Sequence, residues 1–258
     1  MNYKIADNSK KIRNISIVSI TVFLLLWSAS GSEFSSDKFI KGIPRMGEFL
    51  TRMIPPDMSV ARVVMKSTIE TVQIALFGTL LSAFASFFFG IMAAENISPL
   101  WINRPAKWLL AVLRGIPVIL LALLFVSSVG LGPFPGVLAI AFHSTGMLGK
   151  FYSEAMENAR KGPIEALETT GANFIQKFRF GILTQVAPDL VRDTLFRFEM
   201  NLRESLILGL VGAGGIGFYI LLYIRAFQYD KVSTVTIVVL LTVVILEQIS
   251  VMLRSRLR

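Results

Sequence analysis

The chain has 258 residues, of which 53% are hydrophobic and only 17% are charged. Soluble domains carry roughly a quarter charged residues, and disordered chains have low hydrophobicity, so this composition argues against a soluble enzyme and against a disordered protein. The absence of Cys excludes disulfides, thiolate metal sites and Cys nucleophiles, and a single His, His143, argues against a zinc site.

The net charge of +9 has two interpretations. In a soluble chain it would suggest a nucleic-acid partner, whereas in a membrane chain it is typical of basic anchoring on the cytoplasmic side. The apolar runs are long, and no basic helix lies outside them. The sequence therefore predicts an all-α polytopic membrane protein that contacts lipid and has no nucleic-acid partner.

The N-terminal segment contains one apolar run, over 15–29, which four basic residues precede. This pattern fits either a cleaved signal peptide or an uncleaved first transmembrane helix. The later hydrophobic runs favour the helix, which sets the topology of the rest.

In the polar segment 31–66, apolar residues recur at near-helical spacing from Ile43 to Ile54 and end at Pro55-Pro56. That stretch fits an amphipathic helix on the outer membrane surface or an ordinary loop.

Five further apolar runs predict membrane spans at 67–94, 108–129, 137–156, 195–211 and 232–253. The span 108–129 is interrupted at Arg114–Pro117, where proline removes a helix hydrogen-bond donor. Six spans place both termini and the polar loops 95–107 and 157–193 in the cytoplasm, as the positive-inside rule requires. The fit is imperfect, because the segment 31–66 also carries six Lys and Arg residues and would lie outside.

A glycine-rich segment follows the span 195–211 and matches G-x-G-x-x-G, with glycines at Gly212, Gly214, Gly215 and Gly217. This string indicates dinucleotide binding only between a strand and a helix, and no strand pattern surrounds it. Glycines at membrane depth more often break a helix or allow close packing, so we expect a helix break or gate here. The chain has no P-loop motif and therefore does not hydrolyse ATP by that route.

The cytoplasmic loop contains a short helical signal at Gly162–Gly171. Pro163 can open a helix, and Glu165 and Glu168 favour its positively charged first turn. Gly171 can end it. A small-residue helix of this kind fits a shallow groove on another protein, although an ordinary linker between spans fits the spacing equally well.

This loop resembles the EAA loop of binding-protein-dependent ABC transporter permeases, written E-A-A-x3-G-x9-I-x-L-P. Glu165, Ala166, Gly171 and Leu183 match it, whereas Leu167, Gly181 and Thr184 depart from it. The resemblance implies that the loop contacts an ATPase through Glu165, Ala166, Leu167, Gly171 and Ala172.

Over about residues 65–258 the chain is similar to phosphonate ABC permeases and their phosphite-importing relatives. The similar segments are 130–134, 143–146, 171–173, 197–203, 211–217 and 227–229. The resemblance implies a non-catalytic, homodimeric channel in the bacterial inner membrane, with a periplasmic binding protein above and two ATPase subunits below. ATP and Mg²⁺ would bind to the ATPase, and this chain would hold no cofactor. Residues 1–66 would form a tail, first helix and periplasmic segment, and 67–258 the permease domain.

Ionisable residues precede the apolar part of the span 195–211, and such groups at membrane depth usually face a bundle interior or a wet cavity. At about 100° per residue, Glu199 and Arg203 lie nearly opposite Arg197, Asn201 and Glu204. The charges either neutralise each other inside the protein or offer a transient positive surface to an anion. The predicted pathway residues are Arg114, His143, Ser144, Thr145, Arg197, Glu199, Asn201 and Arg203.

Three other functions compete with an oxyanion importer. The first two are a membrane-embedded enzyme and a secondary transporter that works alone. A secondary transporter should show inverted repeats and acidic ion sites in mid-span. No convincing repeat is visible in the sequence. The third is a permease of the same architecture for an amino acid or methionine, which the sequence of this chain leaves open because an external binding protein would select the substrate.

Overall fold

The computed structural model describes residues 3–32 and 35–255, with side chains from residue 14 onward. Every regular element in this part of the chain is helical, as the sequence predicts. Contacts divide the chain into two units, Met1–Arg52 and Met53–Arg258. The functional division after residue 66 stays a prediction.

The first unit contains two helices, α1 (Tyr3–Gly31) and α2 (Ser36–Arg52). The predicted first span lies within α1, whose segment Asn14–Gly31 is long and apolar enough to cross a membrane. The helix predicted over Ile43–Ile54 exists and the loop interpretation is wrong. It starts seven residues earlier and ends at Arg52, two residues before Ile54, in which the following Pro55 disfavours the α conformation.

The second unit begins with a 3₁₀ turn at Met58–Val60. The α-helices that follow are α3 (Ala61–Ala93), α4 (Leu100–Gly115), α5 (Val118–Val129), α6 (Pro133–Glu157), α7 (Lys161–Thr169), the single turn α8 (Phe174–Gln176), α9 (Thr184–Gly209), α10 (Ile216–Arg225) and α11 (Tyr229–Ser255). A π-helix at Lys177–Leu183 joins α8 to α9.

In the described part of the chain, three helices are long and apolar enough to cross a bilayer: α1, α3 and α11. A fourth span results if α4 and α5 count as one broken helix, bent by 85°. The predicted interruption at Arg114–Pro117 is therefore present, with Pro117 as the N-cap of α5. α6 and α9 have 25 and 26 residues, enough to cross, but they carry more polar side chains. The count of six spans stays a prediction.

Two helices extend into segments that the sequence analysis assigns to loops. α4 begins at Leu100, inside the predicted loop 95–107 and directly after its N-cap Pro99, and it contains Pro105, which removes one internal hydrogen bond. α9 begins at Thr184, eleven residues before the predicted fifth span. Its charged first half is stabilised locally, since Arg192 pairs with Asp189 at 2.8 Å.

The second unit is built on close contact between α3 and α6, which run parallel. A Cβ atom on Gly78 would lie 2.6 Å from Ile140 Cγ2, and one on Gly90 would lie 2.9 Å from Tyr152 Cβ. Small residues let helix backbones approach in membrane proteins, where no hydrophobic force drives helices together. α9 packs antiparallel to this pair, and its buried residues Arg197 and Asn201 face α6 and α3.

Candidate functional site

The first candidate surface is α7, the helix in the predicted ATPase-contacting loop. Its inner face carries the half-buried Ile164 and Leu167, which pack on the π-helix. A Cβ atom on Gly181 would lie 3.2 Å from both side chains, so glycine at this position lets α7 sit close. Glu165 and Ala166 are exposed on the outer face. Of the predicted contact residues, Leu167 therefore packs inward.

Both ends of α7 are fixed to the segments that follow. At its start, the Gln185 amide accepts from Arg160 N at 3.1 Å and donates to Arg160 O at 3.2 Å, which ties α7 to α9. At its end, Gly171 adopts φ +76 and its N–H donates to Glu168 O at 3.0 Å. Lys177 pairs with Glu168 at 2.8 Å. α7 and the start of α9 thus form one connected body.

The second candidate surface is the polar interior of α9. Arg197, only 2% exposed, donates through Nη2 to both carboxylate oxygens of Glu204 at 3.0 Å. Its Nε donates to Ser144 Oγ at 2.9 Å, and Ser144 donates to Asn201 Oδ1 at 2.8 Å. Asn201 in turn donates to Thr79 Oγ1 at 2.8 Å. This network joins α9 to α6 and α3, and its buried polar groups satisfy one another.

The other polar stripe of α9 faces α11, as its predicted position on the opposite side of the helix requires. Arg203 pairs with Glu199 at 2.8 Å, and Arg254 of α11 reaches the same carboxylate at 3.0 Å. Arg203 also lies 3.6 Å from Glu247 of α11. The two stripes therefore contact different helices.

The remaining predicted pathway residues lie on α4 and α6. His143 Nδ1 lies 3.1 Å from Ile116 O, at the break between α4 and α5. Thr145 donates to Ala141 O at 2.7 Å within α6. Arg114 is exposed in the last turn of α4. The structure therefore brings Ser144, Arg197 and Asn201 together and pairs Glu199 with Arg203. Among the described residues, no hydrogen bond or ion pair links Arg114, His143 or Thr145 to either group.

The glycine-rich segment is a structured turn between α9 and α10. Gly212, Gly214 and Gly215 have φ of +87, +79 and +77, which only glycine adopts readily. Gly217 is helical but closely packed, since a Cβ atom there would lie 1.9 Å from Leu206 O. The predicted helix break is present, and a role as a gate stays a prediction.

Two residues that the sequence analysis does not assign to a site anchor this turn. A carboxylate oxygen of Glu70 accepts from Gly215 N at 2.8 Å, and Thr71 Oγ1 accepts from Ile216 N at 2.8 Å. Both acceptors belong to α3 and contact the start of α10, where free N–H groups and the helix dipole favour an oxygen ligand. The only sequence signal was an acidic residue near the start of an apolar run.

The chain matches known transport proteins over most of its length. Residues 86–258 match the family described as "Binding-protein-dependent transport system inner membrane component". The phosphite transport system permease protein PtxC of Stutzerimonas stutzeri is 33% identical over 247 residues, which are 95% of this chain and 89% of that protein. The phosphate-import permease protein PhnE of Mycolicibacterium smegmatis is 35% identical over 88% of this chain and 43% of its own length.

Solved structures share the helical architecture of the chain. An inward-facing structure of the MetNI methionine ABC transporter superposes with a TM-score of 0.69 over 78% of this chain and 99% of that chain, at 17% identity. An amino acid ABC transporter with histidines gives a TM-score of 0.66 at 16% identity, over 77% of this chain and 96% of that chain. At such identities the likeness concerns the fold alone.

Proposed function

Because the chain belongs to the family of binding-protein-dependent transport system inner membrane components, we propose that it is the channel subunit of an ATP-driven importer for phosphonate or a related phosphorus oxyanion such as phosphite. The substrate class rests on relatives whose names specify phosphite and phosphate. The likeness to methionine and amino acid transporters concerns only the fold and does not favour those substrates.

The observation that carries this proposal is the surface of α7. Its outer face exposes Glu165 and Ala166 at the positions of the EAA resemblance, while its inner face is packed on the π-helix. Two ATPase subunits, which bind ATP and Mg²⁺, would dock on this face in a homodimer of the chain. A periplasmic binding protein would deliver the substrate, and this chain would perform no covalent chemistry.

The proposed mechanism is alternating access. The ATPases and the binding protein would each bind one of two channel conformations more tightly, and this difference in affinity shifts the equilibrium between them. Because Gln185 ties α7 to α9, movement of α7 would tilt α9. The glycine turn at the other end of α9 would then open or close the channel.

The chain would lie in the bacterial inner membrane with both termini and α7 in the cytoplasm. The 3₁₀ turn at Met58–Val60 and the glycine turn would lie on the periplasmic side. Asp57 O accepts from Thr234 Oγ1 at 2.8 Å, which holds the start of α11 at the same end of the unit.

Purification and uptake experiments test the proposal. The tagged chain should co-purify with an ATPase subunit, and proteoliposomes containing the complex and its binding protein should take up phosphite or methylphosphonate only with ATP. Phosphate would be assayed as a third oxyanion, and methionine is the control for an amino acid permease. ATP-independent uptake would indicate a secondary transporter, and uptake of methionine alone would contradict the substrate class.

A further inference from the structure

Arg114 is a charged residue without a counter-ion among the side chains that the structure describes. It lies in the last turn of α4, directly before the break to α5, and its side chain is exposed. Across residues 14–32 and 35–255 no ion pair or side-chain hydrogen bond involves it. A charge within a membrane-spanning segment is costly unless it faces water or another charged group. The surroundings of Arg114 therefore indicate a wet surface.

Close contact with α6 fixes the backbone of Arg114. A Cβ atom on Gly146 would lie 2.5 Å from Arg114 N, and one on Gly149 would lie 2.5 Å from Leu110 Cδ2. These two glycines let α4 and α6 cross at short distance. Lys150 directly follows the second glycine, so it lies at the edge of the crossing. Two cations from different helices thus border one groove.

The groove between α4 and α6 has a volume of 190 Å³, and Arg114, Lys150, Lys107 and Glu157 are among its lining residues. Since a water molecule occupies about 30 Å³ in the liquid, the groove is large enough for a small oxyanion with part of its hydration shell. Lys107 marks the end of the groove nearest α7, and Arg114 lies seven residues further along α4. At about 1.5 Å per residue, the groove reaches roughly 10 Å into the helix bundle.

The charge of the groove differs between its two ends. Lys107 is neutralised by Glu95 at 2.7 Å and Glu157 at 3.0 Å, and its hydrogen bond holds the pKa of Glu95 below the usual range. At the other end, within the described residues, Lys150 pairs with Glu154 at 3.3 Å, with both side chains about half exposed, and no acidic residue pairs with Arg114. Surplus positive charge therefore lies at the end of the groove that is deeper in the helix bundle, near Arg114 and Lys150.

We propose that Arg114 and Lys150 form a transient binding site for the phosphorus oxyanion on its way out of the channel. This inference rests on the proposed function and adds the residues that contact the substrate. The guanidinium of Arg114 can donate two parallel N–H hydrogen bonds to two oxygens of the tetrahedral anion, and Lys150 can bind a third oxygen. Because Lys150 shares its charge with the half-exposed Glu154, the two cations hold an anion weakly, as a conduction path requires. Arg197, by contrast, is committed to Glu204 and Ser144.

Charge restoration by thiol chemistry tests this site. The chain has no Cys, so Lys150→Cys introduces its only thiol, and the complex is assembled with cysteine-free partner subunits. Purified complex is modified with aminoethyl methanethiosulfonate, which restores a cation, or with the sulfonatoethyl reagent, which adds an anion, before reconstitution. We expect Lys150→Cys to lower oxyanion uptake about fivefold, the aminoethyl adduct to restore it, and the sulfonatoethyl adduct to lower it further. Arg114→Cys should behave in the same way.

Arg225→Cys, in the exposed last turn of α10, is the control, and its uptake should not depend on the sign of the adduct. If Lys150→Cys does not assemble, Lys150→Arg and Lys150→Gln make the same comparison, with uptake retained only by arginine. Equal uptake with either adduct, while the unsubstituted chain imports oxyanion, overturns the site and leaves the proposed function intact. If the unsubstituted chain imports no oxyanion, the proposed function fails and the site with it.

Discussion

The Nη2 group of Arg197 lies 3.0 Å from each carboxylate oxygen of Glu204, two turns further along α9. The two side chains are 3% and 20% exposed. Removing either one leaves the other largely buried and without its counter-ion. Because Arg197 also donates to Ser144 of α6, the pair holds α9 against the rest of the second unit.

Replacing Arg197 with Gln should lower the free energy of unfolding by roughly 3–5 kcal/mol, because Glu204 loses its partner in a buried site. The control is Arg203→Gln. Arg203 is 48% exposed, and Glu199 keeps Arg254 at 3.0 Å, so this loss should stay under about 1 kcal/mol. The midpoint of thermal unfolding in detergent measures both. Adding Glu204→Gln to Arg197→Gln should recover part of the loss, and equal midpoints for the two single variants would contradict this account.

The conformation of Gly171 should matter for coupling to the ATPase. Its φ is +76, and a Cβ atom there would meet no heavy atom within 4 Å, so a substitution acts through the backbone alone. Valine in this conformation costs roughly 1–2 kcal/mol, whereas asparagine adopts it more readily. We expect Gly171→Val to insert into the membrane but to lose stimulation of ATP hydrolysis by the loaded binding protein, and Gly171→Asn to retain it. Equal stimulation in the two variants would count against the role of this turn.

Features that depend on a few neighbouring residues were predictable from the sequence. The break at Pro117, the glycine turn and the opposite stripes of α9 follow from local geometry and from a repeat of about 100° per residue. Partners far along the chain were not predictable. Glu70 accepts from a residue 145 positions later, and Arg254 pairs with Glu199 across 55 positions. A periodic pattern shows that a helix has a polar side, but it does not show which helix that side meets.

Single cysteines test the predicted topology, because the chain has none of its own. Met58 and Ile175 suit this purpose, since they are 71% and 72% exposed and lie at opposite ends of the second unit. In intact cells, a membrane-impermeant maleimide should label Met58→Cys from the periplasm and should reach Ile175→Cys only after the membrane is opened. Labelling of both residues from outside would refute the arrangement of six spans.

The two faces of α2 are strongly different in chemistry. On a helix with about 100° per residue, the large apolar side chains fall on one side and the charged ones on the other. The apolar face carries Phe39, Ile40, Ile43, Met46, Phe49 and Leu50, and the polar face carries Asp37, Lys38, Lys41, Arg45, Glu48 and Arg52. Four of the six charged residues are basic. This pattern is typical of a helix that lies in the plane of a membrane surface among anionic headgroups.

Spin labels on single cysteines should locate α2 relative to the bilayer. Met46 and Glu48 are two positions apart and point about 160° away from each other, so they form a matched pair. In nanodiscs with anionic lipid, a nitroxide on Met46→Cys should be accessible to oxygen, which concentrates in the hydrocarbon, and protected from a water-soluble nickel chelate. Glu48→Cys should show the reverse, because its face remains in water. Ile43→Cys should follow Met46→Cys, since both lie on the apolar face. A label on Met46→Cys that neither reagent reaches would mean that protein covers this face, and one that the nickel chelate reaches would place it in water. Either result would rule out a helix embedded in the membrane surface.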